Sequence, residues 1–278
     1  MLRNRLLINS SSRINDNSVD PSHDFRVFLD DSIDSGKENI RIGLKKVSIP
    51  NTAYTFSEYN NWLYYSLNLD GAEEVKKVEL PTDKVFEDVE EVAQELQQAL
   101  QDKGDNITVD LIEDEYKLQL TNNTEEDEFR IINPVYEPFV LSEGEFHVDI
   151  KFTATHKLGF TEDTRGEWIE ANGGTYKAPG IAKIINTSIY YITSRTLGDS
   201  LRTITPQHEK MEFQMIGSVL NRVGFGNIHQ KVFDEESIIF FDMGSGLNGF
   251  DVQILDEHYN PINLNRANVV LEFIYFKQ

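Results

Sequence analysis

The 278-residue sequence has no cysteine, so disulfides, thiolate metal sites and a cysteine nucleophile are all excluded. No run approaches the ~18 apolar residues of a membrane helix, and MLRNRLLINSSS is too short in apolar residues for a signal-peptide core. The expectation is a soluble chain without a membrane span, made in a cytosol-like compartment. Basic residues are scarce: 26 Lys and Arg face 47 Asp and Glu, a formal charge of −21. Sequence-specific nucleic-acid binding is therefore not expected, because neutralising phosphates needs clustered cations. Strong helical periodicity is also rare, and no βαβ alternation is visible.

The missing positive charge is localised. Residues 59–174 hold 28 acidic against 9 basic residues, net −19, while the remainder holds 19 against 17, net −2. That composition boundary predicts a strongly solvated central block between two near-neutral flanks that can pack against neighbours.

The flanks read as β. Ile40, Ile42 and Leu44 alternate with Arg41 and Gly43, and Val47 and Ile49 resume the alternation after a phase slip at Lys45 and Lys46. A β-bulge at that slip reconciles the two halves, and Pro50-Asn51 ends the strand. Phe25, Val27 and Leu29 predict an earlier strand, ending in the polar stretch DDSIDSGKEN. Residues 1–22 read as a loosely ordered tail leading into a first strand, or as an arm ordering against a neighbouring subunit. Later strand candidates are 181–192, 211–216, 238–243, 250–255 and 269–276, with EHYNP as a turn between two of them.

The central block has one helix. Asp88 is a good N-cap, Glu91 completes a capping box and Gly104 closes the helix; Val89, Val92, Ala93, Leu96, Ala99 and Leu100 share one face. Strands are predicted at 62–69, 75–80, 107–112, 116–120, 129–132 and 146–154. The Gly-rich stretch 161–180 reads as the return connection. Together these patterns predict a mainly β fold: a single jelly roll, an antiparallel β-sandwich, formed by 1–58 and 175–278, with 59–174 as an acidic inserted α+β domain.

Catalytic and ligand-binding patterns are weak. Gly244-Ser245-Gly246-Leu247-Asn248-Gly249 spells GxGxxG but precedes a strand pattern, FDVQIL, where a phosphate-binding site needs a helix N-terminus. Asp34-Ser35-Gly36 resembles an aspartic-protease loop in a single copy, whereas the dyad needs two carboxylates. The run Glu125–Glu128 lacks the convergent oxygens of a calcium loop. Histidines 23, 147, 156, 208, 229 and 258 are scattered, and sequons occur at Asn9, Asn106, Asn122 and Asn186. No catalytic, cofactor-binding or metal residue is assigned, no cofactor is expected, and the chain is not expected to be an enzyme.

Three segments in fixed order, SSR at 11–13, KKVSIPNTAYTFSEYNN at 45–61 and HKLGF at 156–160, resemble the minor capsid (penton) proteins of virophages and polinton-like viruses, mavirus type. The resemblance implies a virion structural protein: a homopentamer that closes icosahedral capsid vertices, contacts the major capsid protein and is made in host cytoplasm. It implies a capsid-embedded jelly roll bearing an outward domain, with a host or giant-virus surface receptor as a further partner for the insertion. The alternative is a carbohydrate- or receptor-binding jelly-roll module, which a surface cluster of Tyr54, Tyr59, Trp62, Tyr64 and Tyr65 would favour.

Overall fold

The computed structural model describes residues 4–12, 24–34, 39–58, 60–69, 71–132, 153–160, 168–185, 187–197, 214–243, 246–257 and 259–277. The chain forms two compact units, Met1–Ala53 together with Thr187–Gln278, and Tyr54–Asn186. The first unit begins with β1 (Asn4–Asn9), β2 (Asp24–Asp34) and β3 (Ile40–Pro50). The second contributes β4 (Trp62–Leu69), β5 (Ala72–Glu79), α1 (Val89–Asp102), β6 (Ile107–Ile112), β7 (Lys117–Asn122), β8 (Glu128–Ile132) and β9 (Gly174–Lys177). The chain then returns to the first unit with β10 (Ile189–Ser194), β11 (Gln214–Leu220), β12 (Ile228–Val232), β13 (Phe240–Asp242), β14 (Gly246–Leu255) and β15 (Val270–Lys277).

Strand pairing defines the first unit as a jelly roll. One sheet runs β1-β15-β3-β12, with β13 pairing the other half of β3, and the second runs β11-β10-β14-β2. Because β12 and β13 share one partner, they act as a single broken strand, which leaves eight strands in the roll. The first then pairs the eighth, the second the seventh, the third the sixth and the fourth the fifth, all antiparallel. That is a long ribbon of paired strands wrapped on itself, the jelly-roll connectivity. The second unit lies in the connection between the third and fourth strands of the roll, β3 and β10.

The two sheets bury one apolar layer between them. Ile8, Ile40, Ile42, Leu44, Val47, Ile49, Leu271 and Phe273 come from one sheet, and Phe25, Tyr190, Ile192, Ile216, Phe250, Val252 and Ile254 from the other. Phe250 meets Phe273 across the layer edge-to-face, with ring centroids 5.0 Å apart. The phase slip in β3 is a bulge: Glu272 opposes Lys46 and Phe273 opposes Leu44, so Lys45 is the extra residue. Its Nζ donates to the Phe233 carbonyl at 2.9 Å. The bulge lets Val47 and Ile49 face the same core as Ile40, Ile42 and Leu44.

The second unit has its own core of strands and helix. Its sheets are β5-β4-β8 and β6-β7-β9, and α1 buries Val89, Val92, Ala93, Leu96 and Leu100. The cap at Asp88 is formed as the sequence predicts, with Glu91 N–H donating to Asp88 Oδ1 at 2.9 Å, but the return bond of the capping box is shifted by one residue: Glu91 Oε2 accepts from Glu87 N–H at 2.8 Å rather than from the N-cap amide.

Several expected boundaries change. Asn4–Asn9, expected in a tail, is a strand on β15, because Ile8 enters the core beside Leu271. The strand from Phe25 continues through the polar DDSID to Asp34. The expected return connection contains a strand, β9, which pairs β7. Residues 181–185 are not strand; Ala182 N–H and Lys183 N–H bond to the carbonyls of Tyr116 and Lys157, and β10 begins only at Ile189. The expected strand at 146–154 lies outside the described residues except for its end, where Thr153 bridges Trp62.

Candidate assembly surface

Of the segments that carry the sequence resemblance, residues 45–58 and 156–160 are built into the framework, while Arg13 of SSR lies outside the described residues. Asn51 follows β3 and is buried; its Nδ2 donates to the Val223 carbonyl at 2.7 Å, and its Oδ1 accepts from the Tyr190 hydroxyl at 2.9 Å. Asn221 Nδ2 bonds to Thr187 O at 2.9 Å, and Asn221 Oδ1 lies 2.6 Å from Nε2 of the buried His229. Burial holds the His229 imidazole below its usual pKa. Thr52 Oγ1 donates to Leu264 O at 2.6 Å. This network ties the end of β3 to the start of β10 and to the β11–β12 connection, beside backbone bonds from Asn51 N–H to Asn227 O at 2.7 Å and from Asn221 N–H to Ser188 O at 2.9 Å.

Within the second unit, Asn60 accepts from Ser57 N–H at 2.7 Å, while Asn61 bonds to Glu79 and Leu80. HKLGF forms a tight turn, with Leu158 and Phe160 in the core and Lys157 Nζ donating to Ile185 O at 3.0 Å. Gly159 has φ +85°, and a Cβ there would lie 2.4 Å from the Gly180 carbonyl oxygen, so only glycine fits.

Among the described residues, sequence reasoning missed three buried carboxylates, Asp105, Asp251 and Asp256. Asp251 of β14 accepts from Thr196 Oγ1 at 2.6 Å, the Thr196 and Arg195 amides at 2.9 and 3.0 Å, and Ser194 Oγ at 3.1 Å. Desolvation pushes its pKa up, but these hydrogen bonds outweigh it and hold the carboxyl below its ordinary value. The available signal was an aspartate inside an otherwise apolar strand pattern. Its role is to clamp the turn after β10.

The other sequence candidates are not assembled into a reaction centre. Gly246 to Gly249 lie within β14, so the GxGxxG letters open a strand. Asp34 ends β2, and Ser35-Gly36 lie outside the described residues. Among the described residues no His, Cys, Asp and Glu group could hold a metal. His23, His147, His208 and His258 lie outside them. Asn122, one of the sequons, is fully buried and donates to the Asp127 and Ile169 carbonyls. Of the five aromatics weighed as a binding platform, Tyr64 and Tyr65 are fully buried, and Tyr65 donates to Asp105 Oδ2 at 2.5 Å. Tyr59 lies outside the described residues.

What the roll does expose is its side. Leu220, Phe225, Ile228 and Val232 are large, apolar and solvent-exposed, and lie on β11, on β12 or in their connection; Ile239, exposed as well, precedes β13. These strands end their respective sheets, and Lys231 Nζ on β12 donates to Ser218 O on β11 at 2.8 Å, which places both on one side of the sandwich. The opposite side is bounded by β1 and β2, where Leu7 is 70% exposed. No helix among the described residues is long and apolar enough to cross a membrane.

No family model matches the sequence, and no curated protein matches it. Solved structures do. The chain is similar in fold to the mavirus penton protein, with 12% identity, a TM-score of 0.47 and 100% of both chains covered. It is also similar to a chain in the structure of the Sputnik virophage, with 10% identity, a TM-score of 0.39 and 98% of each chain covered.

Proposed function

We propose that this protein is a virion structural protein, a penton subunit of which five copies form a ring that closes a capsid vertex against the major capsid protein. The observation that carries the reading is the jelly roll with a second compact unit set between its third and fourth strands, the architecture that the sequence resemblance implies. The division of charge supports it. The insertion, 54–186, has 29 acidic against 11 basic residues, net −18, and the roll has 18 against 15, net −3. Copies of the roll can pack closely, whereas copies of the insertion repel one another and stay in solvent.

The polar anchors at Asn51, Asn221 and Asp251 have structural partners, which fits a framework role rather than catalysis. The glycan- or receptor-binding alternative loses support because Tyr64 and Tyr65 are core residues. Receptor binding by the insertion is a separate proposal, tested by competition of the isolated protein with virion attachment.

The experiment is co-expression with the major capsid protein, followed by imaging of the particles. Density for this chain at the five-fold vertices, lost when its gene is omitted, supports the reading. Closed particles with the chain absent from every vertex overturn it.

A further inference from the structure

We infer that the contact between neighbouring copies joins the two opposite sides of the roll: the β11–β12 side of one copy against the β1–β2 side of the next. This deepens the penton reading and rests on it.

Three observations converge. The first is the outward face of β12. Ile228 and Val232 are 59% and 58% exposed, while His229 between them is buried. An edge strand that turns its apolar residues to water and its polar residue inward is the reverse of an edge protected against association. Val232 opposes Lys46, Lys46 opposes Glu272, and Glu272 opposes Leu7, so one row crosses the sheet with an exposed apolar residue at each end and charges between.

The second is charge. From Gln214 to Phe233, twenty residues covering β11 and β12, there is no acidic residue, and Arg222 and Lys231 are basic. In a chain with net charge −21 that side is unusually free of negative charge. The sequences of β1 and β2, NRLLIN and DFRVFLDDSID, together hold four aspartates and two arginines, net −2 against +2 for 214–233. The two sides are therefore unlike, and complementary, which favours a head-to-tail contact over like meeting like.

The third is geometry. Each side is bounded by the edge strands of both sheets, and the sides lie at opposite limits of the sheet order. A contact between different surfaces of identical chains is heterologous, and it makes a ring when its rotation closes and an open filament when it does not.

The test uses two variants of the full chain, Ile228→Asp with Val232→Asp on one side and Leu7→Asp on the other, with melting curves to show that each remains folded. The wild type gives a mass of five chains, alone or with the major capsid protein, and the variants are measured under the same condition. Each variant alone is monomeric, with association weakened by about 30-fold or more, as for loss of a hot spot. Mixed in equal amounts, the variants form dimers and nothing larger, because each retains the side the other lacks. Because the chain has no cysteine, Leu7→Cys with Val232→Cys in one chain supplies an independent probe: a bis-maleimide links copies in a ladder ending at five. Rings that persist in either variant, a mixture that stays monomeric, or no cross-linked ladder would overturn the edge assignment while leaving the penton reading in place. A wild type that stays monomeric with the major capsid protein present would remove the penton reading itself.

Discussion

The hydroxyl of Tyr190 donates to Oδ1 of Asn51 at 2.9 Å across 139 residues of sequence. The bond joins the residue just past β3, where the chain leaves the roll, to the strand on which it returns. Tyr190 is fully buried, and desolvation, with the charge of Glu257 adding to it, pushes its phenol far above the ordinary value. The shift favours the neutral phenol, the form that donates to Asn51.

Removing that bond has a graded cost. Tyr190→Phe leaves Asn51 Oδ1 with only the 3.4 Å contact to Asn221, and is expected to destabilise by about 1–2 kcal/mol. Asn51→Ala also abandons the Val223 carbonyl and is expected to cost about 2–4 kcal/mol. Equilibrium unfolding in urea measures both; equal effects would show that the Val223 bond contributes nothing.

Asp251 sets an acid limit on the roll. Its folded-state pKa lies below its unfolded value, so its stabilisation is fully present above the unfolded pKa and is lost as pH falls through the folded one. Thermal melts taken from neutral pH down to about pH 3 are expected to show a loss for the wild type that Asp251→Asn lacks, the variant being less stable at neutral pH. Parallel pH profiles would exclude this carboxylate as the cause.

Gly159 tests the HKLGF turn. Gly159→Ala places a Cβ against the Gly180 carbonyl at positive φ, and a loss of more than about 1 kcal/mol is expected. Proteolysis monitored by mass spectrometry is expected to cut first within 54–186. First cuts within the roll would contradict the assignment of this turn to the second unit's framework.

The closeness of Asn51 and Tyr190 also means that a short Gly-Ser linker spans the gap if 54–186 is removed. The shortened roll is expected to fold and to retain cooperative unfolding, read by calorimetry. A molten product would mean that the roll depends on its insertion.

Much of this architecture was legible in the sequence because local pattern and tertiary demand agree. The bulge at Lys45 announces itself as a phase slip, and the Asp88 capping box is complete in the letters. β12 was not legible for the opposite reason: in IHQKV the apolar residues face solvent and the histidine faces inward, so the pattern gives no core-facing alternation. That inversion also makes β12 a candidate contact strand. β1 was hidden because a short apolar run after two arginines reads like a terminus, and only pairing with the last strand gives it a place. The Asn51–Asn221–His229 network was out of reach because its members are brought together by the return of the chain, not by spacing.

A closed ring of five is tested most directly by the mass of the purified protein across concentration and salt, alone and with the major capsid protein. A discrete species of five chains is expected, formed alone or on adding the capsid protein, with no ladder beyond it. A chain that remains monomeric throughout and fails to join the capsid protein would contradict it.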